Sequence, residues 1–156
     1  MGKRTLVLLV VVALVMSMVG ATAGASDEKA IRCFGMTPTL WGTAASETIW
    51  GTNGNDVIWG GPGNDTIYGQ DGNDFICGGK GRDSIEGGAD DDNIKGQGGV
   101  DSLFGNDGCD VLWGGGGNDV LSGAPGFDTD KGGTGSDVCD LADDVFISCE
   151  TFSGGG

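Results

Sequence analysis

Ten aspartates recur at one interval of nine residues: Asp56, Asp65, Asp74, Asp83, Asp92, Asp101, Asp110, Asp119, Asp128 and Asp137. Each lies six places into a unit that opens on glycine, as in Gly60-Gly61-Pro62-Gly63-Asn64-Asp65-Thr66-Ile67-Tyr68. One carboxylate per turn, beside the carbonyls of a glycine-rich backbone, is an all-oxygen ligand set. Oxygen ligands suit a hard divalent cation such as calcium, which takes six to eight of them. Glycine adopts positive φ without a Cβ clash and so lets such carbonyls turn inward. A period held from Gly51 to Asp140 is too regular to be accidental.

The full unit reads G-x-x-G-x-D-x-(I/L)-x. Its eighth position holds Ile58, Ile67, Ile76, Ile85, Ile94, Leu103, Leu112 and Leu121, then changes to Asp130 and Cys139. This matches the nonapeptide pattern G-G-x-G-x-D-x-U-x, where U is large and apolar. The chain therefore resembles the RTX-type (hemolysin-type) calcium-binding nonapeptide repeat family, and within it a small secreted bacterial member. The resemblance implies an all-β fold, a right-handed parallel β-roll (β-solenoid) with two units per coil and short disulfide-linked caps. In that fold six residues of each unit form a turn and three form a strand. The resemblance also implies several calcium ions, held between stacked turns by carbonyls and by aspartates eighteen residues apart. One edge would then stack Asp56, Asp74, Asp92, Asp110 and Asp128, and the other Asp65, Asp83, Asp101, Asp119 and Asp137. Neighbouring pairs would define roughly eight sites, if each holds one ion.

The elements that position these carboxylates are thin. Each unit offers one inward apolar residue, because side chains alternate along a strand and positions seven and nine point out. So small a core does not offset the ordering of so much glycine-rich chain. Stacked carboxylates also repel one another without a counter-ion. These terms predict a largely disordered metal-free chain whose folding is driven by calcium.

Composition bounds the remaining functions. The net charge of −15 argues against nucleic acid and anionic membranes as partners. Acidity alone would indicate only solubility, but the aspartate period gives it a cation-binding sense. The chain has no histidine and no G-x-S-x-G element. Repeats and caps leave no room for a catalytic domain, so the chain reads as a non-enzyme. Glycine does not fall at every third residue, which excludes collagen. The glycine-rich segments lack the strand–loop–helix context of nucleotide-binding loops.

Residues 1–25 read as a signal peptide: Lys3 and Arg4, an apolar run from Leu6 to Val19, and Ala23-Gly24-Ala25 before a cut at Ser26. Ala21-Thr22-Ala23 is a second cleavage option. Cleavage takes the charge from −15 to −17 by removing Lys3 and Arg4, and predicts a released, extracellular product. Residues 26–50 form an N-terminal cap with a degenerate repeat, Gly42 to Trp50, in which Glu47 replaces Asp and Ile49 keeps the core. Leu40-Trp41 fits the register one unit earlier. Residues 51–140 are the repeat array and 141–156 a C-terminal cap and tail, with Val145, Ile147 and Phe152 as cap core and Gly154 to Gly156 frayed. Asp90 takes the place of the second glycine in one unit, where left-handed backbone is tolerable for Asp. Asp130 falls on an inward position, and burying a carboxylate is costly. The roll is therefore expected to loosen near Gly126 to Gly133, where Asp128 and Asp137 need a regular stack.

An exported chain permits disulfides among Cys33, Cys77, Cys109, Cys139 and Cys149. Cys139 and Cys149 flank the C-terminal cap and form the first candidate pair. Cys33 with Cys77 would tie the N-terminal cap to the third unit. The RTX resemblance supports this second pair through a Cys ahead of the array and another in Ile76-Cys77-Gly78-Gly79. Cys109 is left as a free thiol or a dimer link. Position nine carries Trp50 and Tyr68 on one expected sheet and Trp41, Trp59 and Trp113 on the other. Such aromatics could hold an extracellular polysaccharide or cell-surface partner, or simply cover a thin solenoid. The array is accordingly read as a calcium-binding roll, with an adhesion, matrix or carbohydrate platform as the alternative.

Overall fold

The computed structural model describes residues 32–140 and the backbone of 146–148. The signal peptide, Cys149, Val145, Phe152 and the glycine tail lie outside the described residues. The described chain forms short parallel strands and no helix, wound into a β-solenoid of two sheets. Strands β1 (Leu40–Trp41), β3 (Val57–Pro62), β5 (Phe75–Lys80), β7 (Asn93–Gly98), β9 (Val111–Gly116), β11 (Thr129–Thr134) and β13 (Phe146–Ser148) make one sheet in that order. Strands β2 (Thr48–Trp50), β4 (Thr66–Asp71), β6 (Ser84–Ala89), β8 (Ser102–Asp107), β10 (Val120–Ser122) and β12 (Val138–Cys139) make the other. Odd and even strands alternate between sheets, so each coil consumes two units and partners lie eighteen residues apart. Ile58 pairs with Ile76, Ile76 with Ile94 and Ile67 with Ile85.

The core is one column of residues between the sheets. Ile58, Ile67, Ile76, Ile85, Ile94, Leu103, Leu112 and Leu121 are fully buried, with Leu40, Ile49 and Cys139 packed at its ends. The degenerate first unit holds register, with Ile49 on Ile67 and Leu40 on Ile58.

Two expectations are corrected. Most strands run six residues rather than three, from position seven of one unit through position three of the next. Pairing resumes after the glycine at position one, as in Gly61 with Gly79 and Pro62 with Lys80. Backbone at positions two and three can therefore add to the ladder that the apolar residue starts. The roll also does not loosen at Gly126 to Gly133. Asp130 is buried, yet β11 pairs continuously with β9 and then with β13, in the register Leu112, Asp130, Ile147. Backbone pairing on both sides carries the coil past the carboxylate, so one irregular inward side chain does not end the ladder. Asp90 takes left-handed backbone, with φ of 75°, where the glycines Gly63, Gly81 and Gly99 of other units have φ of 153°, 125° and 145°.

Cys33 and Cys77 are disulfide-bonded, Cα to Cα 5.7 Å, across forty-four residues. The bond anchors a turn at residues 33–36 onto the outer face of the first sheet. There the Phe34 ring meets Phe75 at 5.4 Å and Trp113 at 5.3 Å. Cys139 is also disulfide-bonded, and Cys109 is free and exposed. Closing a loop of this length lowers unfolded-chain entropy by the equivalent of about 4 kcal/mol. The double substitution Cys33→Ser/Cys77→Ser should therefore lower the thermal midpoint of the calcium-loaded chain by several degrees. Calorimetry checks this, with Cys109→Ser leaving the midpoint unchanged.

Candidate metal centre

The turn before each strand ends on the repeat's aspartate, whose carbonyl accepts the position-seven N–H nineteen residues later, as in Phe75 N–H to Asp56 O at 2.9 Å. This fixes the Asp backbone, and the side chain then folds back along the stack. Its Oδ1 accepts the N–H of the aspartate eighteen residues earlier. Asp56 N–H donates to Asp74, Asp74 to Asp92, Asp92 to Asp110 and Asp110 to Asp128, each at 2.8 Å. Asp65 donates to Asp83, Asp83 to Asp101, Asp101 to Asp119 and Asp119 to Asp137, each at 2.9 Å. Glu47 donates to Asp65 in the same way. The ten sequence-predicted residues therefore stand in the two expected rows, including Asp128 and Asp137 beyond the point where loosening was expected.

One oxygen of each pair is satisfied and the other is not. Oδ2 of Asp65, Asp74, Asp83, Asp92, Asp101, Asp110, Asp119, Asp128 and Asp137 is buried without a hydrogen-bond partner. A buried charged acceptor left unpaired is among the costliest defects a fold can carry. These oxygens face the glycine that opens the unit. A Cβ on Gly69 would overlap both Asp74 Oδ2 and the carbonyl of Gly87. The same holds at Gly96, with Asp101 Oδ2 and the Gly114 carbonyl. Carboxylate and carbonyl oxygens thus converge where any side chain would intrude.

Among the described residues, no three His, Cys, Asp or Glu side chains gather into a cage. An ion here would have to be held by aspartates of neighbouring coils together with main-chain carbonyls. That donor set is all oxygen and suits calcium. Burial pushes the carboxyls of Asp74 and Asp83 up to about 6, those of Asp101 and Asp110 up to about 7, and that of Asp92 up to about 8. The Oδ1 hydrogen bonds pull in the opposite direction, and the charge of stacked neighbours adds to the rise. Burial also raises Asp65 and Asp119. Rows this reluctant to ionise require either protons or a counter-cation.

Asp56 differs from the other nine. Its Oδ2 accepts the Thr52 N–H at 2.7 Å and the Thr52 hydroxyl at 2.9 Å. Glu47 is closed in the same manner by Thr43, through N–H and hydroxyl contacts of 2.7 Å each. Threonine at position two therefore meets with side-chain and backbone donors the need that the other units leave open.

Position five carries a second ladder, which the aspartate period alone does not reveal. Asn55 Oδ1 accepts the Asn73 N–H, Asn64 that of Arg82, Asp91 that of Cys109 and Asn118 that of Ser136. This second ladder runs in the opposite sense to the first. Its sequence signal was the recurring Asn-Asp pair at 55–56, 64–65, 73–74 and 118–119.

The sequence model of one family, RTX calcium-binding nonapeptide repeat (4 copies), matches residues 41–76, 68–102 and 95–130. No curated protein and no solved structure matches the chain.

Two outcomes follow from this geometry. The metal-free roll binds more protons than the unfolded chain, because the pKa values of Asp65, Asp74, Asp83, Asp92, Asp101, Asp110 and Asp119 lie above the unfolded value. Its stability is therefore present at low pH and lost as pH rises through about 6 to 8. In chelator, circular dichroism should show more β signal at about pH 5 than at about pH 8.5. Calcium stoichiometry from titration calorimetry should fall in Asp92→Asn and stay near wild type in Asp56→Asn, whose outer oxygen Thr52 already occupies.

Proposed function

The chain belongs to the RTX calcium-binding nonapeptide repeat family, and from that premise we propose a secreted protein whose roll folds as calcium enters its aspartate rows. The observation that carries this reading is the line of buried Oδ2 atoms without partners, one per unit from Asp65 to Asp137. The proposed ligands are Asp56, Asp65, Asp74, Asp83, Asp92, Asp101, Asp110, Asp119, Asp128 and Asp137, with Asp56 the weakest because of Thr52. Bound calcium would supply the positive charge that offsets the stacked carboxylates. The chain's own part is to fix each carboxylate through Oδ1, to keep side chains away through glycine, and to exclude water through the apolar column.

The proposed division of the chain supports the same reading. Residues 1–25 direct export, 26–50 cap the roll, 51–140 bind calcium and 141–156 close the far end. Inside a cell free calcium is low and the chain stays export-competent. Outside, sites of roughly 10⁻⁴ to 10⁻³ M affinity would fill and the linked units would fold together. The repeat is a structural calcium-binding module, and the proposed role is non-catalytic. A second reading, a rigid extracellular platform for a polysaccharide or cell surface, is supported by the outward aromatic Trp41 of the first sheet, 46% exposed.

The test is circular dichroism of residues 26–156 during a calcium titration, with magnesium as control. A cooperative gain of β signal with calcium alone is expected. A full β signal in chelator at neutral pH would make calcium secondary to disulfides and packing. No gain at saturating calcium would overturn the reading.

A further inference from the structure

The two sheets carry opposite charge. On β1, β3, β5, β7, β9 and β11 the outward side chains include Lys80, Lys95 and Lys131 and no carboxylate, the inward Asp130 being the one acid on these strands. On β2, β4, β6, β8, β10 and β12 they include Asp71, Glu86 and Asp107 and no cation. Arg32 joins the first face through the disulfide-anchored turn. Of the Lys and Arg side chains among the described residues, Arg82 alone lies at a turn away from it. For a chain of net charge −15, a sheet face without an exposed acid is a marked segregation.

This face is grooved. Arg32, Trp59, Pro62, Lys80 and Gln97 line a cleft of about 380 Å³. Lys95, Gln97, Trp113 and Gly115 line a second of about 370 Å³. Gln97 is exposed and borders both, so the clefts are neighbours along the stack. The Lys95 ammonium lies 3.9 Å from the centre of the Phe34 ring and 5.0 Å from Trp113, and Lys131 lies 5.6 Å from Trp113. Indole and ammonium groups are therefore held side by side. Trp59 on β3 and Lys131 on β11 are four strand steps apart, about 19 Å at the usual spacing.

We propose that this basic, aromatic face binds an anionic polysaccharide laid along the stack of coils. The half-buried indoles of Trp59 and Trp113, packed on Trp41 and Phe34, line the two clefts and offer the apolar surface they leave open to sugar rings, and the Gln97 amide offers donors and an acceptor to hydroxyls. Lys80, Lys131 and Arg32 are exposed and meet the carboxylate or sulfate groups. A sugar polymer, rather than another polyanion, is chosen on the extracellular location proposed above, and on that point the inference rests on that reading. Filling of the aspartate rows by calcium removes most of the long-range repulsion that an anionic polymer would otherwise meet. The Trp50–Tyr68 pair on the opposite face is not part of this site. Those rings stack on each other at 4.2 Å and 17°, each covering a face of the other.

The test uses the full calcium-loaded chain and affinity electrophoresis against hyaluronan, dextran sulfate, uncharged dextran and single-stranded DNA. Retention by a charged glycan and not by dextran is expected, weakening as salt screens the contacts. The hyaluronan and dextran sulfate arms separate carboxylated from sulfated ligands. Lys80→Ala and Lys131→Ala should each weaken retention about two- to five-fold, and Trp59→Ala should weaken it too. Trp50→Ala should leave it unchanged. Circular dichroism of each variant with calcium separates loss of the face from loss of the fold. A wild-type chain without calcium-induced β signal would instead count against the roll itself. With the roll folded, equal retention on dextran, or retention indifferent to Lys80→Ala and Lys131→Ala, would overturn the proposal. Tighter capture by DNA would overturn it as well. So would polymer-free association, seen by light scattering and abolished by the same variants, because the occupant would then be a second copy.

Discussion

The structure depends on a row of like charges held at the spacing of a β ladder. Each aspartate from Asp65 to Asp137 gives one oxygen to a backbone N–H in the adjoining coil and buries the other without a donor. From Asp65 onward the neighbour of each carboxylate in its row is another carboxylate, which offers the free oxygen no donor. Glycine at the head of the unit is the steric complement of that row, since a Cβ there would overlap the free oxygen. The apolar column supplies one buried residue per unit and no more. Fold and charge are thus one problem, set by the same carboxylates.

The N-terminal end shows the same backbone solving it differently. Thr43 closes Glu47 and Thr52 closes Asp56, each with an N–H and a hydroxyl. At the next units position two takes positive φ, at Gly61 and Gln70, and no such closure forms. A β-branched residue disfavours left-handed backbone, so threonine selects the closed turn where glycine or glutamine permits the open one. The first coil is therefore self-satisfied, and the Cys33–Cys77 bond fastens it to later coils. A solenoid end lacks a neighbour on one side, and side-chain closure is a suitable answer to that deficit.

Most of this was legible in the sequence because the signals are local and periodic. The nine-residue spacing placed every aspartate in its row, the apolar column in the core, and Leu40-Trp41 in register with Ile58-Trp59. The Cys33–Cys77 pair followed from resemblance and is present. The misses share a cause, which is reading one unit at a time. Strand length was underestimated because positions one to three carry no strand-forming side chains, and their pairing comes from the coil above. Asp130 was expected to break the roll on its side chain alone, whereas ladders on both flanks carry the backbone past it. The position-five ladder was missed because Asn55, Asn64, Asp91 and Asn118 find their partners outside their own unit. They accept from a unit eighteen residues on.

The division of labour within the unit separates the positions that build the fold from those that face solvent. Positions one, two, four, six and eight are constrained by turn, row and core. Positions three, seven and nine face out, and there the sequence is free to vary. A coil of two units sends odd repeats to one sheet and even repeats to the other. Residues that alternate along the chain therefore separate in space. Position nine reads Trp59, Tyr68, Cys77, Glu86, Lys95, Phe104, Trp113, Ser122, Lys131 in sequence, without evident order. Sorted by parity, it becomes Trp59, Cys77, Lys95, Trp113, Lys131 on one face and Tyr68, Glu86, Phe104, Ser122 on the other. The same nine-residue period that builds the aspartate rows thereby gives the molecule two faces of different chemistry. Either face can change without disturbing the rows between them.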